Sequence, residues 1–97
     1  MINFYVGLSD RYTKNQVSDI NYYYNNLINI FQSHNINGLT ITQAVGVYNG
    51  ERENSLIVSV TNKLSSTDII YICNDIKEKL NQQCVLVQII DDEIRII

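Results

Sequence analysis

The dipeptide Asn49-Gly50 constrains this chain most, because it separates two runs in which apolar and small polar residues alternate. A type I′ turn needs positive φ at both central positions, which Asn and Gly tolerate. A two-residue turn here pairs Tyr48 with Glu51 and sets the register of both strands. One face of the predicted hairpin is then apolar, and the other carries short and hydroxyl-bearing side chains. The two predicted strands are residues 39–48 and 51–61.

Two more segments have the pattern of strands. Residues 2–8 alternate bulky and lighter side chains, and residues 84–90 are a run rich in β-branched residues between turn-prone ones. The segments between the strands instead repeat apolar residues every three or four positions, which is the period of an amphipathic helix. The predicted helix cores are Val17, Ile20, Tyr24, Leu27 and Phe31 in the first, and Ile69, Ile72, Cys73, Ile76 and Leu80 in the second.

Capping signals give the expected ends of the helices. Thr13 followed by Gln16 matches a capping box, so the first helix should begin near Lys14. Asn37-Gly38 should end it in the left-handed conformation. The second helix should be capped by Ser65 or its neighbour Ser66.

The element order is therefore β-α-β-β-α-β in a single domain over residues 1–97. Helices on one face of an antiparallel sheet in this order give an α+β fold, the two-layer ferredoxin-like sandwich. Residues 93–97 carry three isoleucines and suggest a short extra strand at the carboxyl end.

Composition and charge exclude several classes of function. A net charge of −3 argues against a protein that binds duplex DNA, which needs a basic face. No stretch approaches the ~20 apolar residues of a membrane span, and the strand that starts at Ile2 leaves no basic signal-peptide region. A cytoplasmic location is expected. Cys73 and Cys84 are accordingly expected to be free thiols rather than a disulfide.

Catalytic and metal-binding patterns are sparse in the sequence. His34 is the single histidine and has no nucleophile motif beside it, so a favourable charge at a helix carboxyl end is the simpler interpretation. There is no Cys-x-x-Cys, no histidine pair and no calcium-loop spacing. We therefore expect no enzymatic activity, no cofactor and no metal. An enzyme of the dimeric α+β barrel type stays open as an alternative, because such enzymes work with few polar residues.

The candidate ligand-binding groups are aromatic and charged residues of the first strand, of the loop after it and of the hairpin tip. Tyr5 and Tyr48 should lie on the sheet face away from the helices, where a nucleobase can stack, although the third strand lacks the aromatic residue of an RNA-binding sheet. Arginine suits bidentate recognition of phosphate. Across a dimer, the loop after the first strand and the hairpin tip could meet in one pocket. The predicted site consists of Tyr5, Arg11, Tyr12, Tyr48, Arg52 and Glu53.

The sheet face away from the helices is also the expected interface of a homo-oligomer. Its short side chains allow a second sheet to approach closely. The carboxyl-terminal isoleucines would be exposed in a monomer unless they docked on a sheet edge. The predicted interface consists of Thr42, Ile57, Ser59, Ile94, Ile96 and Ile97.

Three stretches resemble a pattern in small ferredoxin-like domains of unknown function from phages and low-GC bacteria: Tyr5-Val6-Gly7-Leu8, Gly46-x-Tyr48-x-Gly50-Glu51 and Ser55-Leu56-Ile57-Val58. The resemblance implies a context, since small phage products often bind host machinery or host immune components. It leads to the hypothesis of a non-enzymatic anti-defence protein that acts by binding, sequestering a small anionic nucleotide signal as an oligomer. The alternatives are a protein inhibitor of a host nuclease or defence effector, of the anti-CRISPR type, and a structural dimerisation module.

Overall fold

The computed structural model describes residues 1–8 and 19–90 and contains a single four-stranded sheet with two helices. The strands follow the order β4-β1-β3-β2, and all neighbouring strands are antiparallel. This confirms the predicted α+β ferredoxin-like sandwich; the suggested strand at 93–97 lies outside the described residues. The elements are β1 (Ile2–Gly7), α1 (Ile20–Ser33), β2 (Thr40–Tyr48), β3 (Glu51–Val60), α2 (Ser66–Lys79) and β4 (Leu86–Ile89).

The hairpin between β2 and β3 has the predicted register. Asn49 and Gly50 have φ values of 52° and 75°, the positive values of a type I′ turn. Tyr48 pairs with Glu51, and the pairing continues without a slip to the far end of β2. Because successive side chains of a strand point to opposite faces, this register buries one row of β3 and leaves the other uncovered.

The uncovered side of the sheet, called the open face below, carries mostly small or polar side chains, together with the larger Tyr5, Ile57 and Leu86. Alternate residues of β1, namely Ile2, Phe4 and Val6, point to the other side of the sheet and are buried under the helices. The cross-strand pairing shows which residues of each strand lie on the open face. Its residues are Asn3, Tyr5, Gly7, Thr40, Thr42, Ala44, Gly46, Glu53, Ser55, Ile57, Ser59, Leu86 and Gln88.

The hairpin extends beyond the end of β1. Gly7 is the last residue of β1 and pairs with Ser55, and the Leu8 N–H donates to Asn54 O at 3.0 Å. The hairpin arms nearer the turn therefore have no β1 neighbour. The carboxyl end of β1 and the hairpin tip consequently lie at the same end of the sheet.

α1 begins later than predicted. Asp19 has an extended backbone and is the N-cap, with its Oδ1 accepting from the N–H groups of Asn21 and Tyr22 at 3.1 and 3.3 Å. An aspartate that bonds these amides fixes the helix start at the next residue, so the predicted start near Lys14 is wrong. The Thr13–Gln16 capping box and Val17 lie outside the described residues.

α1 also ends before the predicted stop. Asn35, rather than Gly38, takes the left-handed conformation, with φ of 63°. The Asn35 N–H donates to Gln32 O and the Ile36 N–H to Phe31 O, both at 3.0 Å, which is the Schellman pattern. Ile36 is 1% exposed, so its burial in the core accompanies this early stop.

The core lies between the helices and the covered face of the sheet. α1 contributes Tyr23, Leu27, Ile30 and Phe31, whereas Ile20 and Tyr24 are only partly buried. The predicted stripe is therefore displaced around the helix toward Tyr23. α2 is capped at Ser65, one of the two predicted positions, and the cap is a capping box with Asp68. The helix buries Ile72 and Ile76, followed by Leu80. Neither helix is long and apolar enough to cross a membrane.

Candidate functional site

A chain of hydrogen bonds crosses the open face and joins three strands. Ser59 Oγ donates to Asn3 Oδ1 at 2.7 Å, and Asn3 Nδ2 donates to Gln88 Oε1 at 3.3 Å. The Tyr5 hydroxyl donates to the same Gln88 oxygen at 2.8 Å. These contacts hold one tyrosine ring and three short polar side chains in fixed positions on a partly solvated surface.

A second polar group lies where the hairpin passes the end of β1. Glu53 sits across from Gly46 on the open face, and its side chain leans toward Gly7. A methyl group at Gly7 would lie 2.7 Å from Glu53 Oε1 and 3.3 Å from Gln82 Oε1. Two acceptor oxygens, one of them charged, therefore converge beside Gly7. The charge of the exposed Glu53 carboxylate favours a positively charged group or an N–H donor at this place.

The orientation of Gln82 is set from inside the protein. The side chain is 5% exposed, and its Nε2 donates to Tyr23 Oη and to Leu80 O, each at 3.1 Å. The Tyr23 hydroxyl also donates to Leu80 O at 3.3 Å. The amide nitrogen thus bonds to Tyr23 of α1 and to Leu80 at the end of α2, and Oε1 faces Gly7.

A cleft of about 450 Å³ lies mainly on the helix side of the sheet, between the start of α1 and the middle of the hairpin. Its volume lies in the range of roughly 300–1,000 Å³ that is usual for small-molecule pockets. Of its lining residues, Ala44 and Ser55 belong to the open face, and Glu53 and Gly7 are not among them. The cleft is lined by Leu8, Ile20, Gln43, Ala44, Val45, Asn54 and Ser55.

The predicted ligand-binding residues divide into four groups. Tyr5 and Glu53 both lie on the open face. Arg52 is exposed and pairs with Val47, so its side chain leaves β3 on the face opposite to that of Glu53. Tyr48 pairs with Glu51 through the backbone. Arg11 and Tyr12 lie outside the described residues.

Sequence reasoning missed Gly7 and Gln82 as members of the site. Gly7 ends a predicted strand and stands in no turn motif. Gln82 lies in the polar run Asn81-Gln82-Gln83, where nothing distinguishes it from its neighbours. Their importance depends on how three distant segments meet. No local signal could have identified them.

The predicted interface residues Thr42, Ile57 and Ser59 all lie on the open face, where Thr42 and Ile57 are direct cross-strand partners. Ser59 bonds to Asn3 within the same chain. Ile94, Ile96 and Ile97 lie outside the described residues. Assembly through this face stays a prediction.

The cysteines and acidic residues form no metal site in the described part of the chain, where no group of three or more potential ligands occurs. Cys73 is half-buried and Cys84 is exposed, and both are free thiols. Burial raises the pKa of the Cys73 thiol, while the nearby charge of Lys77 acts in the opposite direction.

Comparison with known proteins relates the fold to an enzyme. No family profile and no curated protein matches the sequence. Among solved structures, the chain is similar to a phage SAM lyase in complex with S-methyl-5′-thioadenosine, with a TM-score of 0.65 and 21% identity over 89% of this chain and 75% of that one. The phage source of that protein agrees with the phage part of the resemblance noted above. The prediction of a non-enzymatic protein is wrong on this comparison, because a lyase has this fold.

Proposed function

We propose that this chain is a phage-encoded enzyme that binds S-adenosylmethionine and cleaves it as a lyase. The observation that carries the proposal is the shared fold, which extends over 89% of the chain. The open face adds a fixed tyrosine, Tyr5, for contact with a purine or ribose, and the Glu53 carboxylate for the positive charge of the substrate.

The proposed reaction requires few catalytic groups from the protein. S-Methyl-5′-thioadenosine forms from S-adenosylmethionine when the bond between the sulfonium sulfur and Cγ of the aminobutyrate group breaks. The sulfur keeps the bonding electrons and leaves as a neutral thioether, so the leaving group needs no proton. If the substrate's own carboxylate attacks Cγ, a lactone forms and no proton moves at all. The protein then acts chiefly by binding the substrate in a bent conformation, with its carboxylate close to Cγ.

This reaction supports an anti-defence role for the protein. Removal of S-adenosylmethionine deprives a host cell of the methyl donor and cofactor that restriction–modification systems use. The proposal replaces sequestration of an anionic nucleotide, because the ligand now proposed carries a positive charge at sulfur. It keeps the general expectation of a phage protein directed against host defence.

The direct test is incubation of the purified full chain with S-adenosylmethionine and detection of products by liquid chromatography and mass spectrometry. We expect S-methyl-5′-thioadenosine to accumulate well above a protein-free blank, since the substrate also decays slowly to this product by itself. S-Adenosylhomocysteine should not form, because that product would indicate methyl transfer. No acceleration over the blank would refute the proposal.

Two variants that remove the same charge test whether the substrate binds beside Glu53. Glu53→Gln should raise the KM for S-adenosylmethionine, because it removes the carboxylate that faces Gly7. Glu78→Gln removes the same charge from an exposed position on α2 and should leave the kinetics unchanged. Equal effects of the two substitutions would place the substrate elsewhere.

A further inference from the structure

The geometry points to Gly7 as a positioning residue, whose missing side chain leaves the space in which the Glu53 carboxylate meets the positive charge of the substrate. This inference rests on the proposed function. Gly7 would touch no reacting atom itself and would act only through Glu53.

The space beside Gly7 is already occupied by the carboxylate. Glu53 Oε1 lies 2.7 Å from where a methyl group on Gly7 would be, which is closer than a carbon and an oxygen can approach without a bond. Gly46, the direct cross-strand partner of Glu53, differs in this respect, since a methyl group there would be 3.9 Å from the Glu53 carbonyl oxygen, an ordinary contact. Gly38 has open space around it. Of these three glycines, only Gly7 is needed for the carboxylate's position.

An alanine at Gly7 should move the carboxylate and leave the fold intact. Gly7 has no positive φ, so an L side chain imposes no backbone strain there. The atom that must move is the far end of a flexible, exposed glutamate side chain. Gln82 Oε1, at 3.3 Å, has less freedom because its amide nitrogen is bonded to Tyr23 and Leu80. The new methyl group therefore displaces the Glu53 carboxylate from its position beside Gly7.

The role assigned to this carboxylate is binding and not bond cleavage. The sulfonium loses its charge as the carbon–sulfur bond breaks, so a nearby carboxylate cannot favour the transition state over the substrate at that atom. The α-ammonium of the substrate keeps its charge throughout. A displaced carboxylate raises KM in either case, while kcat stays unchanged if the contact is to the ammonium and rises if it is to the sulfonium.

Three ligands with the same adenosine group separate the contributions of the sulfonium and the ammonium to binding. S-Adenosylmethionine carries a sulfonium and an ammonium, S-adenosylhomocysteine carries the ammonium alone, and S-methyl-5′-thioadenosine carries neither. Steady-state assays of the full chain give the KM for the first and the inhibition constants of the other two.

For Gly7→Ala we expect the KM for S-adenosylmethionine to rise about tenfold or more, while the inhibition constant of S-methyl-5′-thioadenosine changes by less than about twofold. Gly46→Ala should match the wild type. In a Glu53→Gln background, Gly7→Ala should add no further loss, because the charge that it displaces is already gone. A parallel loss for S-adenosylhomocysteine assigns the contact to the ammonium, and an unchanged value assigns it to the sulfonium; both support the inference.

The inference is overturned if Gly7→Ala has the wild-type KM, or if it weakens the uncharged thioadenosine as much as the charged substrate. An additional loss from Gly7→Ala in the Glu53→Gln background would also overturn it. These results, with an active wild-type protein, leave the proposed lyase activity in place. An inactive wild-type protein refutes the proposed function itself, and the inference falls with it.

Discussion

Phe31 of α1 packs edge to face against Phe4 of β1, with ring centroids 5.1 Å apart and an interplanar angle of 78°. Both side chains are fully buried. Edge-to-face pairs of this kind contribute about 0.5–1.5 kcal/mol beyond the burial of their area. This contact attaches the first helix to a central strand of the sheet, the strand that ends at Gly7.

Phe31→Ala should therefore destabilise the protein by about 3–5 kcal/mol, through lost burial and the cavity that remains. Denaturant unfolding followed by circular dichroism measures the change. Tyr22→Ala is the matched control in the same helix, because Tyr22 is 53% exposed, and it should cost less than about 1 kcal/mol. Similar midpoints for the Phe31 variant and the parent would contradict the packing described here.

Gly50→Val should destabilise the hairpin by about 1 kcal/mol or more, because a β-branched residue is strained at the positive φ of 75° that Gly50 adopts. Gly38→Val tests the same change at a glycine without positive φ and with no atom near its Cβ position, and it should have a smaller effect. Thermal unfolding of both variants gives the comparison. If the two midpoints fall equally, the turn is not responsible.

The hairpin could be predicted in full from the sequence because its register depends on local properties. Two residues that tolerate positive φ fix the turn, and the alternation beside them fixes the buried face. The same holds for the N-cap of α2, which was predicted at Ser65 or Ser66 and lies at Ser65.

The rotation of α1 could not be predicted in this way. Neighbouring residues on a helix differ by about 100° around its axis, so a shift of one position changes which tyrosine is buried. Tyr23 is the buried one because its hydroxyl bonds to Leu80 O and accepts from Gln82, 57 and 59 residues further along the chain. The candidate site had the same limitation, since Gly7, Glu53 and Gln82 belong to separate segments that only the folded sheet brings together.

The two cysteines should differ in reactivity toward a thiol reagent at mildly alkaline pH. Cys84 is exposed, whereas Cys73 is half-buried and burial raises the pKa of its thiol, which lowers the fraction of reactive thiolate. Cys73→Ser should therefore react faster with the reagent than Cys84→Ser, and the difference should vanish in denaturant. Equal rates in the native state would contradict the burial of Cys73.

The raised pKa of Cys73 also predicts how stability depends on pH. At alkaline pH the folded protein keeps the thiol proton while the unfolded chain loses it. The contribution of this group to stability is thus fully present below the ordinary thiol pKa and is lost as pH rises through the raised value. Cys73→Ser should flatten that part of the curve of unfolding free energy against pH.

We propose, finally, that the open face joins copies of this chain, and Ile57 provides the test. Ile57 lies on that face between its cross-strand partners Tyr5 and Thr42. Covering an isoleucine contributes about 1.5–3 kcal/mol, so Ile57→Lys should weaken association by ~10-fold to ~100-fold or more and lower the mass that light scattering gives. Ile70→Lys is the control, since Ile70 is a 56% exposed isoleucine on α2, and it should leave the mass unchanged. A wild-type chain with the mass of one subunit at micromolar concentration would refute assembly through the open face. A multimer that persists in Ile57→Lys but dissociates in Ile70→Lys would move the interface to the helices.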